Sequence, residues 1–511
     1  MRKSHLHYAI LNMGASGATT VLKIILGFVS RTIFIQILGS QLLGLNGLLT
    51  SVLTTLSLAE MGIGNAIIYS LYRPVAQKKW SVVRAIMELY RKIYRILAVL
   101  ILLIGLAIIP FLPILTGSSI HNVTLYYSIL LFNSVISYLL TYNRSLMIAN
   151  ERNYIVSLVD LGSVLFTTIL QIITLFIFKN YSLYLIIQVL FTFCGNIVLT
   201  CLVRKGYRNQ LQNTVKIKVP ADIVSKLKKN VIGTFANKVG DVAVNGTVNV
   251  LIAMFINLST VGIYSNYQLI ISALQSILFN ISNALTSTIG SIAASTESSN
   301  KSSGLFFKHQ FMNYSLTFFS SALLLVCLPQ FIKLWIGNHY LLSMQITIMM
   351  VIIFIVNTLR YTCLVFIDAY GLAYEQKIKP FLEAVINLLL SIIFLKFFKL
   401  GIFGILLSSI LTGLLIATTY EAYVVFHYGL QKKVFLFYKK YIRIVLEITF
   451  NLVAVYSLTS VVNGKLLISN FNILIVNTLI TLSVSIITYI LFNIKNSQFV
   501  QLRQNMLERF K

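Results

Sequence analysis

GLNGLLTSVLTTLSLAEMGIGNAIIYSLY, residues 44–72, is an apolar run long enough to cross a bilayer, with Glu60 near its middle. The run before it, from about residue 9 to 38, carries two cations of its own, Lys23 and Arg31. A charge at mid-bilayer costs roughly 3 kcal/mol on insertion scales, so it faces a polar cavity or a partner rather than lipid. The spacing agrees. Lys23, Gly27 and Arg31 step by four and climb one side of a helix. Asn46, Thr50, Ser57, Glu60 and Gly64 fall within roughly a quarter-turn of one another at about 100° per residue. Two membrane helices thus each present a polar stripe, and the expectation is a shared hydrophilic interior of cationic character.

The rest of the 511-residue chain has the same character: 57% is hydrophobic and 11% charged. Soluble domains carry about 25% charged residues, so this is an all-α integral membrane protein. A window of about 20 residues predicts fourteen transmembrane helices. They lie near 9–38, 44–72, 93–115, 122–148, 154–178, 183–203, 231–256 and 261–292, then 309–332, 344–371, 380–399, 402–426, 441–463 and 471–493. Of the 41 Lys and Arg, 32 fall on one side of this arrangement, five on the other and four within spans. That asymmetry predicts both termini and the basic loops in the cytoplasm, and a protein of the cytoplasmic membrane.

The net charge of +28 would suit nucleic acid on a soluble face. Here it is spread in short blocks between apolar spans, which excludes that partner class. The basic start runs on past Lys23 without a small-residue cleavage site, so no signal peptide is expected. Cys194, Cys201, Cys327 and Cys363 all lie in apolar spans and read as core residues. The longest loop, 204–230, is basic and either lies along anionic lipid or is a plain solvated linker. QKKVFLFYKKYIR, 431–443, reads as amphipathic and interfacial. Outer loops reach about a dozen residues at most, which leaves no room for an external catalytic domain.

Shifting the chain by about 218 residues superposes several landmarks. LLGLN around Gly44 falls on TVGIY around Gly262, and Pro110 and Pro113 fall near Pro329. LMIANERNYI falls near FIDAYGLAYEQKIK, and Lys23 falls within three residues of Lys238. Equal span numbers and equal orientation then predict two six-helix lobes related by an axis along the membrane normal, with a substrate site between them. The expected division is an N-terminal lobe 1–203, a basic linker 204–230, a C-terminal lobe 231–427, and a tail 428–511 with two extra helices.

Span seven offers Lys238, Asp241, Asn245 and Asn249 on one face, and span eight adds Gln268, Ser272 and Gln275. Lys238 and Asp241 can also pair with each other as a structural ion pair. Arg360 lies mid-span, with Asp368 two turns on, and either faces the cavity or pairs with an acid from another helix. Arg31 either faces the cavity or snorkels outward. Glu60 balances Lys23 or Arg31, or binds a coupling proton. Asp160, Glu383, Glu421 and Glu447 lie nearer the cytoplasmic interface and read as structural. No phosphate-binding G-x-x-x-x-G-K-[ST] motif and no metal-ligand spacing is present, so no cofactor is expected. The six histidines fall at span ends or in loops, and none reads as a catalytic base.

LGSQLLGLNGLLTSVLTTLSLAEMGIGNAIIYSLYRPVA, 38–76, resembles the start of polysaccharide repeat-unit flippases in the pattern of Gly44, Gly47, Glu60, Gly62, Gly64, Tyr72 and Pro74. These form the polysaccharide-transporter branch of the MOP exporter superfamily, beside multidrug-and-toxin extrusion (MATE) proteins and lipid II flippases. PQFIKLWIG, ending at Gly337, and the count of six, six and two helices add looser support. The resemblance implies a V-shaped MOP/MATE-like transporter, not an enzyme. It would carry an undecaprenyl-diphosphate-linked oligosaccharide from the inner to the outer leaflet, for capsule, O-antigen or exopolysaccharide biosynthesis. It further implies that Lys23, Arg31 and Lys238 hold the diphosphate, and that the last two helices cradle the polyprenyl tail. Arg360 has no counterpart in the family pattern and joins the set on its own position. Membrane lipid, a polysaccharide polymerase and chain-length proteins are the expected partners. A cation or drug exporter on the same architecture and a polymerase or ligase are the competing classes; the second needs the outer loop that is missing.

Overall fold

The computed structural model describes residues 2–56, 63–116, 120, 122–150, 152–212, 246–283, 286, 289, 299–372, 374–463, 470–496 and 498–500. Among the described residues every regular element is helical. Ten helical stretches are long and apolar enough to cross a membrane. The four expected spans not among them are represented by Ile63–Ala76, Gly246–Phe255, Leu258–Asn283 and Lys379–Lys396. The protein is a multi-pass membrane protein with the expected helix order.

We number the helices α1 (Arg2–Leu56), α2 (Ile63–Ala76), α3 (Trp80–Ile108), α4 (Val123–Ala149), α5 (Asn153–Phe178) and α6 (Tyr181–Gln212). Next come α7 (Gly246–Phe255), α8 (Leu258–Asn283), α9 (Ser299–Ile336), α10 (Met344–Tyr370) and α11 (Lys379–Lys396). The last are α12 (Gly401–Gly429), α13 (Phe435–Asn463) and α14 (Asn470–Asn493).

Three stretches depart from the sequence reading. No loop separates the first two spans: α1 joins them through a break at Gly39, whose φ of 82° is cheap for glycine alone, and it ends at Leu56, with residues 63–72 of the second span on α2. The basic residues before span three lie on α3 itself. Val83, Ile86, Tyr90, Tyr94 and Leu97 form its buried face, while Arg91, Lys92 and Arg95 stay exposed. Likewise 431–443 is largely the first turns of α13, with Lys440 Nζ 3.6 Å over the Phe307 ring.

By contacts the chain divides into residues 1–262 and 263–511. In the first unit, α4, α5 and α6 are tied by polar pairs: Arg144 donates to Asp160 at 2.8 and 2.6 Å, and Asn143 to Thr200 at 2.9 Å. In the second, Phe306, Phe366, Phe426 and Phe437 form a buried aromatic core. The two final helices pack on α9 through Ala322, Val326 and Val455. A buried polar stripe on α14 meets Asn451, which bonds Ser485 at 3.2 Å and Thr488 at 2.9 Å. Of the cysteines read as core, Cys363 is buried, Cys327 is half-buried, and Cys194 and Cys201 are exposed. An apolar span has an outer face as well as an inner one, and hydropathy does not distinguish them.

Candidate functional site

In the first unit the charges of interest lie on α1. Lys23 is half-buried and, among the described residues, makes no hydrogen bond or ion pair. Arg31 stands two turns further on, about 12 Å by helical rise. Tyr184 at the start of α6 acts electrostatically on Arg31, and its hydroxyl lies 3.5 Å from Ser30 Oγ. Phe34 packs edge-on against Tyr184 and Tyr181, with centroids 5.2 and 5.6 Å away. Gln171 fixes this end of α6 by donating to the Tyr184 carbonyl at 3.0 Å. Tyr181 donates to Asn46 Oδ1 at 2.9 Å, so this expected cavity residue is tied to α6. Asn249 Nδ2 donates to Ser51 at 2.9 Å, while its Oδ1 is buried without a partner among the described residues. Glu60, Lys238, Asp241 and Asn245 lie outside the described residues.

In the second unit Arg360 is held in a quartet of charges. Its Nε and Nη2 donate to Glu421 at 3.0 and 2.6 Å, a bidentate pair. Lys379 Nζ donates to the same carboxylate at 2.7 Å, and Glu383 stands 3.9 Å from Arg360 and 3.8 Å from Lys379. Two cations and two anions cancel, and Glu421 is fully buried. π-helical turns at Gly413–Thr418 and Val425–Gly429 flank Glu421, each shifting the face that α12 presents. Gln268 and Gln275 on α8 are half-buried; the Gln275 carbonyl accepts from Tyr361 at 3.4 Å. Asp368 sits exposed in the last turn of α10.

Two groups escaped the sequence reading, and a third, Glu421, is read there as structural without its partner. Lys379, counted there as a loop charge, is buried in the quartet. Glu421 is the acid bonded to Arg360, from 61 residues away. His309, placed at a span end, is 1% exposed, because α9 begins ten residues before the apolar window. Its Nε2 faces the Ser282 carbonyl at 3.0 Å and its Nδ1 the Thr362 hydroxyl at 3.1 Å. An apolar cavity of about 340 Å³ opens between α8, α9 and α14, lined by Ile270, Leu274, Leu324, Phe331 and Leu474.

With these sites in place the fold can be compared with solved structures. Lipid II flippase MurJ in an inward closed conformation aligns with a TM-score of 0.62 at 15% identity, over 94% of this chain and 99% of its own. A multidrug resistance MATE family transporter of the MOP superfamily, inward-facing, gives 0.62 at 12%, over 83% and 99%. A MOP superfamily transporter from Pyrococcus furiosus, described with a binding pocket of reverse polarity, gives 0.54 at 12%, over 84% and 97%. The fold is therefore that of the MOP-superfamily transporters. The sequence profile described as polysaccharide biosynthesis protein matches residues 11–292, more than half of the chain, and the chain belongs to that family. No curated protein matches it in sequence. Transporters and flippases, not enzymes, are what the fold resembles, in line with the transport reading of the sequence.

Proposed function

We propose that this chain is a flippase that moves an undecaprenyl-diphosphate-linked oligosaccharide from the inner to the outer leaflet of the cytoplasmic membrane. The observation that carries the reading is Lys23, a cation within a membrane helix that no described acid answers. A diphosphate answers it. Lysine and arginine bind phosphate oxygens by charge-assisted hydrogen bonds, and Lys23, Arg31 and Lys238 form the proposed clamp. The family description supports a role in polysaccharide biosynthesis, and the fold neighbours support transport. The apolar cavity beside α14 has the chemistry to take part of a polyprenyl chain. The excess of Lys and Arg on one side supports cytoplasmic termini.

Moving an anion outward against an inside-negative potential is downhill by about 2.3 kcal/mol per charge per 100 mV, so the potential is a sufficient drive. An exporter of cations would want free carboxylates, and Glu421 and Glu383 are already engaged by Arg360 and Lys379. The test is translocation of a defined polyprenyl-diphosphate oligosaccharide by purified protein in liposomes, with and without an imposed potential. Outward movement should accelerate when the inside is negative and should depend on Lys23. Folded protein that leaves the lipid where it was, or an equal rate in Lys23→Ala, would remove the proposal.

A further inference from the structure

QIITLFIFKN, 171–180, and SIIFLKFFKL, 391–400, lie 220 residues apart, close to the shift that superposes the two halves, and share Ile, Ile, Leu, Phe and Lys in register. The first closes α5 and the second closes α11, each at the turn into the next helix. Burial repeats with the sequence. Leu175 and Leu395 are buried, and the five residues after each are all exposed. Phe178 is 62% exposed and Phe398 64%. The backbone repeats as well: Lys179 has φ 49° and Lys399 φ 52°, both in the left-handed region. Two halves that share only scattered landmarks elsewhere thus carry the same exposed Phe-Lys tip, down to its backbone conformation.

Neither turn needs a lysine. A left-handed residue costs any side chain a steric penalty that glycine avoids, and glycine is the usual choice just past a helix. The capping is done by other groups. The Lys179 backbone N–H donates to the Leu175 carbonyl at 3.1 Å, and Asn180 Oδ1 starts α6 by accepting from the Ser182 and Leu183 N–H groups at 2.8 and 3.2 Å. Among the described residues, the side chains of Lys179, Lys396 and Lys399 make no hydrogen bond or ion pair. Yet these are three of the five cations that the charge count puts on the outer side, against the general preference for the inner one. Phe176, Ile177 and Phe178 in one tip and Phe397 and Phe398 in the other are exposed at the ends of membrane helices, where acyl chains rather than water receive apolar surface. A lysine one residue beyond such a ring reaches the phosphate level of the leaflet, where its charge meets an anion.

We propose that the turns after α5 and α11 are a duplicated site for anionic phospholipid of the outer leaflet, with the lysines on headgroup phosphates and the phenylalanines among the acyl chains. The choice of leaflet rests on the orientation given above; the lipid site itself does not depend on what the protein transports. The test uses full-length protein with Trp80→Phe and Trp335→Phe, carrying Phe178→Trp or Phe398→Trp as the reporter. It is placed in mixed vesicles of phosphatidylglycerol and phosphatidylcholine that contain no diphosphate lipid. From the quenching of the reporter by each lipid in brominated form, the glycerol lipid should bind about fivefold better than the choline lipid at Lys179, the worth of one lysine at an anionic surface. Lys179→Gln at the first tip, or Lys396→Gln with Lys399→Gln at the second, should bring the two lipids level. Equal binding before those changes, no quenching by either lipid, or a preference that survives the changes overturns the site. Lys179→Gly and Lys399→Gly separate lipid binding from helix capping: they should melt no lower in lipid-free detergent and still lose the preference. A lower melting temperature with the preference intact makes the lysines caps and overturns the site. With the four cysteines replaced by alanine, Lys179→Cys should react with an impermeant maleimide from outside the cell. Reaction from the cytoplasmic side alone overturns the outer-leaflet site through its orientation, whereas a protein that translocates nothing but keeps the lipid preference counts against the transport reading only.

Discussion

α1 and α10 each carry a cation into the membrane, and they treat it in opposite ways. Arg360 on α10 is gripped bidentately by Glu421, with Lys379 and Glu383 completing a neutral quartet. Lys23 on α1 is met by no described acid, although it lies in the same kind of apolar segment. Depth in hydrocarbon alone therefore does not separate the proposed substrate ligand from a structural charge. Compensation does. A charge neutralised by its own fold has little left to offer an anion, whereas an unanswered one keeps its desolvation cost until a ligand offsets it.

The comparison breaks first, if it breaks, at Glu421. Glu421→Gln leaves two buried cations facing one remaining carboxylate, and removing one partner of a buried pair costs about 3–5 kcal/mol. Thermal unfolding in detergent should show a large drop, and Arg360→Met combined with Glu421→Met should recover most of it. Wild-type melting in Glu421→Gln would mean that the quartet contributes no stability. The next effect is on transport. Lys23→Ala should leave melting unchanged and lower diphosphate-lipid translocation by about 10- to 100-fold, the worth of a charged hydrogen bond of roughly 1.5–3 kcal/mol. A parallel loss of stability would place Lys23 with Arg360 and erase the contrast. Smaller still is Arg144, bonded to Asp160 but with about a quarter of each side chain exposed. Arg144→Met should cost on the order of 1 kcal/mol in the same melting assay, because water screens what the fold does not bury. A cost matching that of Glu421→Gln would show that exposure is the wrong measure.

Much of this was written in the sequence, and the reason it was is also the reason some was not. Helix number and order follow from the cost of putting backbone in hydrocarbon, which any apolar window of the right length records. Helix ends do not follow from it, since a helix continues into water wherever its backbone bonds are satisfied. That is why α9 reaches back to Ser299 and buries His309, and why α1 passes through Gly39 with a break in place of a loop. Lys23, Arg31 and Arg360 could be singled out as charges in the wrong medium. The acid that answers Arg360 could not, because Glu421 is remote in sequence and resembles any other carboxylate near a span end. The repeat aligned Gly44 with Gly262, but only the structure shows that the aligned turns touch.

The finest distinction lies within α1, between needing a charge and needing a shape. Arg31 follows Ser30, whose Oγ lies 3.5 Å from the Tyr184 hydroxyl, and Phe34 packs edge-on against Tyr184, whereas Arg360 meets the paired carboxylate oxygens of Glu421. If the task of Arg31 is to add positive potential to a diphosphate clamped chiefly by Lys23, an ammonium serves nearly as well as a guanidinium. Arg31→Lys should then slow translocation by only about threefold, under roughly 1 kcal/mol. If the planar fork grips two phosphate oxygens at once, lysine cannot reproduce it, and the loss should match that of Arg31→Ala. Measured side by side at two salt concentrations, the pair decides. A pure potential effect shrinks with screening in both variants, while a lost bidentate contact persists at high salt.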